Sequence, residues 1–129
     1  MIVTDLNFVT LQDKLVLGNE YGDTGREVGG SAIVLEPYPG AQLSRITTKS
    51  MPLDGITIRD KKVKRKLGEI TTIDNVHCDG SGRQGLLWIG GNGLTVTNSR
   101  FPKTRRDKVS SFPGAGLDIE PNPETSDWH

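Results

Sequence analysis

Short runs in which apolar and polar residues alternate recur along this chain, separated by clusters of turn residues. They lie at 33–36 (IVLE), 42–47 (QLSRIT), 55–59 (GITIR), 70–78 (ITTIDNVHC), 85–89 (GLLWI), 94–101 (LTVTNSRF) and 116–120 (GLDIE). A period of two puts successive side chains on opposite faces, so each run predicts a strand buried on one side. Turn clusters rich in Gly, Pro, Asp and Asn at 38–40, 79–82, 90–93 and 113–114 supply the connections. Helical spacing is nearly absent. The best helical candidate, 60–67 (DKKVKRKL), is short and its neighbouring cations repel, so it reads as a solvated loop. No Asn-Gly or Asp-Gly pair makes a tidy two-residue hairpin between alternating runs, and Asn92-Gly93 sits inside a longer Gly cluster. Antiparallel hairpins are therefore not the expected connection.

The runs repeat. Segments 32–36 (AIVLE), 55–59 (GITIR), 85–89 (GLLWI) and 116–120 (GLDIE) each place a small residue first and apolar residues second and fourth, at offsets of 23, 30 and 31. A second column aligns 43–46 (LSRI), 73–76 (IDNV) and 96–99 (VTNS). Ile46 precedes Ile56 by 10 residues and Val76 precedes Leu86 by 10; the corresponding step from Ser99 to Leu117 carries 103–110 (KTRRDKVS) as a surplus. On the return path the surplus is 60–67. Without these two basic insertions the period is roughly 22 to 24 residues, within the solenoid range. The expected fold is all-β: a right-handed single-stranded parallel β-helix of about three to four rungs, with two basic loop insertions. Residues 1–30 read as a cap or a preceding rung, 31–122 as the rungs, and 123–129 as a polar tail. Rungs stacked about 4.8 Å apart would align like side chains into ladders. Asn75 and Asn98 share one such column, either as a hydrogen-bonded ladder or as two ordinary turn asparagines.

Composition agrees with many short strands and tight turns: 33% of residues are hydrophobic, with 16 Gly and 7 Pro. Lys+Arg and Asp+Glu are equal at 16 each, so no global field draws the chain to nucleic acid or membrane. The basic insertions lack interleaved aromatics, which argues against nucleic acid, although an acidic polysaccharide would meet the same charges. No apolar stretch approaches the length of a membrane span, and the N-terminus lacks the layout of a signal peptide. The single Cys78 cannot form an internal disulfide and reads as a small buried hydrophobe. His77 beside it should face the opposite way, so the two make no metal pair, and no metal or cofactor is expected.

The run SGRQGLLWIGGNGLTVTNSRF (81–101), followed by PGAGLDIEPN (113–122), resembles right-handed β-helix proteins of the pectate-lyase-like superfamily. It is especially similar to phage tailspikes and bacterial polysaccharide-processing members, and the resemblance covers roughly residues 33–122. It implies a polysaccharide partner on an outer sheet and either glycoside hydrolase, polysaccharide lyase or no activity, since this fold hosts all three. It also implies a homotrimer, or neighbouring rungs of a longer chain, in a virion or extracellular setting. Such proteins carry more rungs than are readable here, and the chain reads as a fragment of a longer protein.

If Leu117 and Ile119 face the core, Asp118 and Glu120 face outward together. Residues two apart on a strand are about 6.5–7 Å apart at Cα, compatible with the carboxyl spacing of about 6.5–9.5 Å in an inverting glycosidase. Asp118 and Glu120 are thus the candidate acid and base; the alternative is the polar half of an ordinary alternating strand. Glu36 and Arg59 fall in the outward column below Glu120 and are candidate substrate contacts. Arg83 and Gln84 precede the third strand of that column, where they reach a ligand or merely decorate a turn. Trp88, with Leu87 and Ile89, is a candidate stacking platform for a sugar ring; a neighbouring subunit could cover the same residues. Asp54 reads as a turn cap. Two functions follow: a carbohydrate-binding and polysaccharide-degrading segment, or a non-catalytic structural or adhesive module. A polar groove through Glu36, Arg59 and Asp118 favours the first, and a flat apolar face through Leu87 and Ile89 the second.

Overall fold

The structure, a computed structural model, describes residues 1–10, 30–36, 40–59, 70–90, 93–105 and 114–120. Its strands are β1 (Ile2–Val9), β2 (Ile33–Leu35), β3 (Gln42–Lys49), β4 (Ile56–Arg59), β5 (Thr71–Asp79), β6 (Leu86–Ile89), β7 (Leu94–Thr97) and β8 (Leu117–Glu120). The chain alternates between two sheets, ordered β1-β3-β5-β7 and β2-β4-β6-β8. Every strand pairing is parallel. Among the described residues there is no helix, and those residues are all-β.

The register repeats the columns seen in the sequence. Ile33 pairs with Ile56, Ile56 with Leu86, and Leu86 with Leu117. In the other sheet Leu43 pairs with Ile73 and Ile73 with Val96. β1, which the alternation of the sequence did not reveal, extends this sheet by setting Val3 beside Leu43 and Leu6 beside Ile46. The insertion at 60–67 lies outside the described residues, as do the tail at 123–129 and residues 11–29. The start of the second insertion is anchored. Lys103 Nζ lies 3.0 Å from Asp79 Oδ2, Thr104 Oγ1 donates to Gly114 O at 2.7 Å, and Arg105 N donates to Ser81 O at 2.8 Å.

A line of left-handed residues bends the first sheet. Asp5, Arg45, Asn75 and Asn98 have φ of 59°, 52°, 53° and 49° and stand one above another. An extended strand would turn Leu43 and Ile46 to opposite faces, yet both are buried. The left-handed residue between them resets the alternation, so the strand wraps the core with apolar residues three apart. Asn and Asp tolerate this conformation at low cost, which places Asn75 and Asn98 in a common turn column at the surface. The same bend ends β7 at Thr97, four residues short of the run read from sequence; beyond it only Arg100 rejoins, bridging to His77.

A second column explains why each repeat begins with a small residue. A Cβ on Gly55 would stand 2.5 Å from Gly85 O and 2.7 Å from Cys78 Sγ. On Gly85 it would stand 2.5 Å from Phe101 Cβ and 2.6 Å from Gly116 O. The two sheets meet too closely here for a side chain. Cys78 is buried, and its thiol is pushed up to about 11 by loss of water. His77 points outward and is exposed.

The core is a thin column of Leu43, Ile46, Ile56, Ile58, Ile73, Val76 and Leu86 between the sheets. Leu117 and Ile119 lie in its inward columns but are 41% and 45% exposed. They are not core residues as the alternation implied, because β8 is the outermost described strand and no further described strand lies over it. Leu6 on β1, at the opposite end, is likewise exposed.

Candidate functional site

The turn leading into β4 carries the most heavily bonded carboxylate among the described residues. Asp54 is fully buried. Arg83, one turn further along the stack, grips it with both arms of its guanidinium: Nε donates to Oδ1 at 2.9 Å and Nη2 to Oδ2 at 2.7 Å. Thr57 Oγ1 donates to Oδ2 at 2.8 Å, and the Gln84 backbone N–H donates to Oδ1 at 3.1 Å. Ser31 Oγ reaches both Asp54 Oδ2, at 3.4 Å, and Thr57 Oγ1, at 3.0 Å. Two-armed pairing suits a buried carboxylate, since it satisfies lone pairs that water cannot reach. The Asx turn expected at Asp54 is thus the centre of a cluster that ties three successive turns together.

Alongside the cluster runs a groove of about 370 Å³ on the outer side of β2-β4-β6-β8. Arg59, Arg83, Glu120, Asp54 and Thr57 line it, together with Val34, Leu87 and Ile89. Leu87 faces away from the core cluster and is nevertheless only 2% exposed, so it forms part of the groove floor. Strand register builds the lining: Thr57 pairs with Leu87 and Leu87 with Asp118, while Arg59 pairs with Ile89 and Ile89 with Glu120.

The candidate residues separate into three groups. Arg59, Arg83 and Glu120 line the groove, and Glu36 stands at its edge, its Oε1 3.4 Å from Arg59 Nε. Asp118 neighbours Leu87 on β8 and accepts a hydrogen bond from Gln84 Nε2 at 2.8 Å. Gln84 is fully buried, so it braces Asp118 rather than meeting a ligand at the rim. Trp88 is buried in the core cluster, on the opposite side of β6 from Leu87 and Ile89. That position removes it from any surface stacking platform. Of the residues expected to line a polar groove, Arg59 lines this one, whereas Glu36 and Asp118 lie beside its lining; Leu87 and Ile89, expected as a flat apolar face, form its floor.

Comparison with protein-family models, curated proteins and solved structures finds no match for this chain. The chemistry of the groove must therefore be read from its own residues. Among the described residues no group of three or more His, Cys, Asp or Glu side chains is arranged to hold a metal ion. The groove offers hydroxyl, carboxylate and guanidinium groups around an apolar strip. That combination suits a hydroxylated ligand with one apolar face. Ser31, Asp54 and Thr57 were not singled out from sequence as site residues. The signal that locates them is the register itself, which stacks Asp54 beneath Gln84 and so brings Arg83 within reach.

Proposed function

We propose that this chain is a segment of a right-handed parallel β-helix that binds polysaccharide along its outer β2-β4-β6-β8 sheet. The carrying observation is the groove of about 370 Å³, where Arg59, Arg83 and Glu120 surround an apolar floor of Leu87 and Ile89. Sugar rings present an apolar face of C–H groups and an equatorial fringe of hydroxyls; the floor suits the first and the charged rim the second. Winding into stacked coils is supported by strict alternation between two parallel sheets. The tailspike-like and pectate-lyase-like resemblance belongs to this reading, with a virion or extracellular setting and further rungs or trimer partners covering the exposed Leu117 and Ile119.

Cleavage would fall to Asp118 and Glu120, which project from the same side of β8. Glu120 in the groove would protonate the leaving oxygen, and Asp118 would take the proton of a water, the arrangement of an inverting hydrolase. Release of reducing ends from a panel of capsular and plant polysaccharides tests this. The wild type should release them, and Asp118→Asn with Glu120→Gln should lower the rate by more than about 100-fold, in the range for loss of general acid–base catalysis. Products absorbing in the ultraviolet as unsaturated uronates would indicate a lyase instead. Wild-type protein that binds glycan yet releases nothing supports the second reading, a non-catalytic adhesive or structural module, which the exposed apolar ends of the stack also favour.

A further inference from the structure

We infer that the groove takes glycans lacking carboxylate, sulfate or phosphate groups, an inference that rests on the polysaccharide reading above. Among the described residues Asp54 and Glu120 line the groove together with Arg59 and Arg83, and two more carboxylates flank that lining, Glu36 beside Arg59 and Asp118 beside Leu87, so carboxylates in and around the groove outnumber guanidiniums. Both guanidiniums already face a carboxylate, Arg83 far more tightly than Arg59. Arg83 is committed in a two-armed pair to Asp54, which is fully buried, so turning toward a ligand would strip a carboxylate that water cannot reach. Arg59 lies 3.4 Å from Glu36.

Asp118 and Glu120 add two further carboxylates along one strand. An acidic sugar laid on Leu87 and Ile89 would meet those charges across a partly dry floor, where repulsion is screened less than in bulk water. A hydroxyl, by contrast, donates to a carboxylate at no electrostatic penalty. The Gln84 brace fixes Asp118 as such an acceptor, since its Nε2 holds Oδ2 and leaves Oδ1 for a ligand hydroxyl. The opposing charge in the sequence is the basic run 60–67, which follows Arg59 and lies outside the described residues.

The test measures binding of the full chain to neutral β-glucan, galactomannan and dextran, and to polygalacturonate and alginate, at low and at high salt. At least one neutral glycan should bind at least tenfold more tightly than either acidic one at low salt. The gap should narrow as salt rises. In the double variant Asp118→Asn, Glu120→Gln the neutral-to-acidic ratio should fall at least threefold. Tighter binding of the acidic glycans, weakened by salt, would overturn the inference and leave the polysaccharide reading standing. No binding of either class at millimolar glycan would overturn both.

Discussion

The outer faces of the two sheets use the same side-chain chemistry in different surroundings. On β1-β3-β5-β7 the outward residues bond their neighbours one turn away in open solvent. Arg45 Nε and Nη2 donate to Asp5 at 2.6 and 2.8 Å, Thr47 donates to Asn7 at 2.7 Å, and Thr97 and Asn98 both donate to Asp74. At the corner of β2-β4-β6-β8, Arg83 and Asp54 make the same two-armed pair with the carboxylate fully buried. Water competes for the first set and is excluded from the second. The exposed ladders therefore decorate the surface, while the buried pair governs whether neighbouring turns hold together.

The sharpest test of this contrast is Arg83→Met, which keeps the apolar stem and leaves Asp54 buried without its cation. It should cost about 3–5 kcal/mol in a denaturant titration, the usual penalty for stranding one partner of a buried pair. If the loss is no greater than that of an exposed ladder residue, the contrast fails. Next in size is Gly55→Ala, which forces a methyl against Gly85 O and the Cys78 thiol. Overpacking of this kind costs about 1–3 kcal/mol. It should also speed alkylation of Cys78, a thiol kept protonated by burial up to about 11. Because that value is raised, the contribution of the neutral thiol is intact below the ordinary value near 9 and is lost as pH climbs toward 11.

The smallest effect belongs to the exposed ladder. Hydrogen bonds from Arg45 hold the Asp5 carboxyl at about 2, and bonds from Thr97 and Asn98 lower Asp74 as well. A depressed carboxyl favours the fold above its ordinary value near 3.8 and loses that contribution as pH falls toward 2. Arg45→Gln should return the Asp5 titration, followed by carbon NMR, toward the ordinary value and lower the unfolding midpoint at neutral pH by less than either Arg83→Met or Gly55→Ala, since solvent screens this exposed pair.

The two parallel sheets were legible because small-apolar-polar-apolar segments recur and because parallel pairing keeps like residues in one column. β1 escaped notice for a specific reason. Val3, Leu6 and Phe8 follow the same bent pattern as Leu43, Ile46 and Thr48, but their partners lie 40 residues on, far outside the repeat seen elsewhere. Asn75 and Asn98 did mark the bend and Asp5 is of the same tolerant kind, whereas Arg45 occupies it without the residue type that advertises it. In the groove, Arg59 and Glu120 followed from alternation alone. Trp88 had the same guide, since the fourth place of its repeat points inward with Ile58 and Ile119; surface exposure was expected for it only as a companion of Leu87 and Ile89. Asp54 looked like a local cap because its cation arrives from 29 residues away.

Successive strands of the first sheet return to the same register after steps of 40, 30 and 23 residues. Chain length and strand alignment are therefore uncoupled: residues added between strands leave the register unchanged. Loop closure is forgiving in this respect, since doubling a flexible connection costs only about 0.6 kcal/mol. The scaffold can thus accept foreign peptide at its corners, displaying it at a fixed height set by the turns above and below.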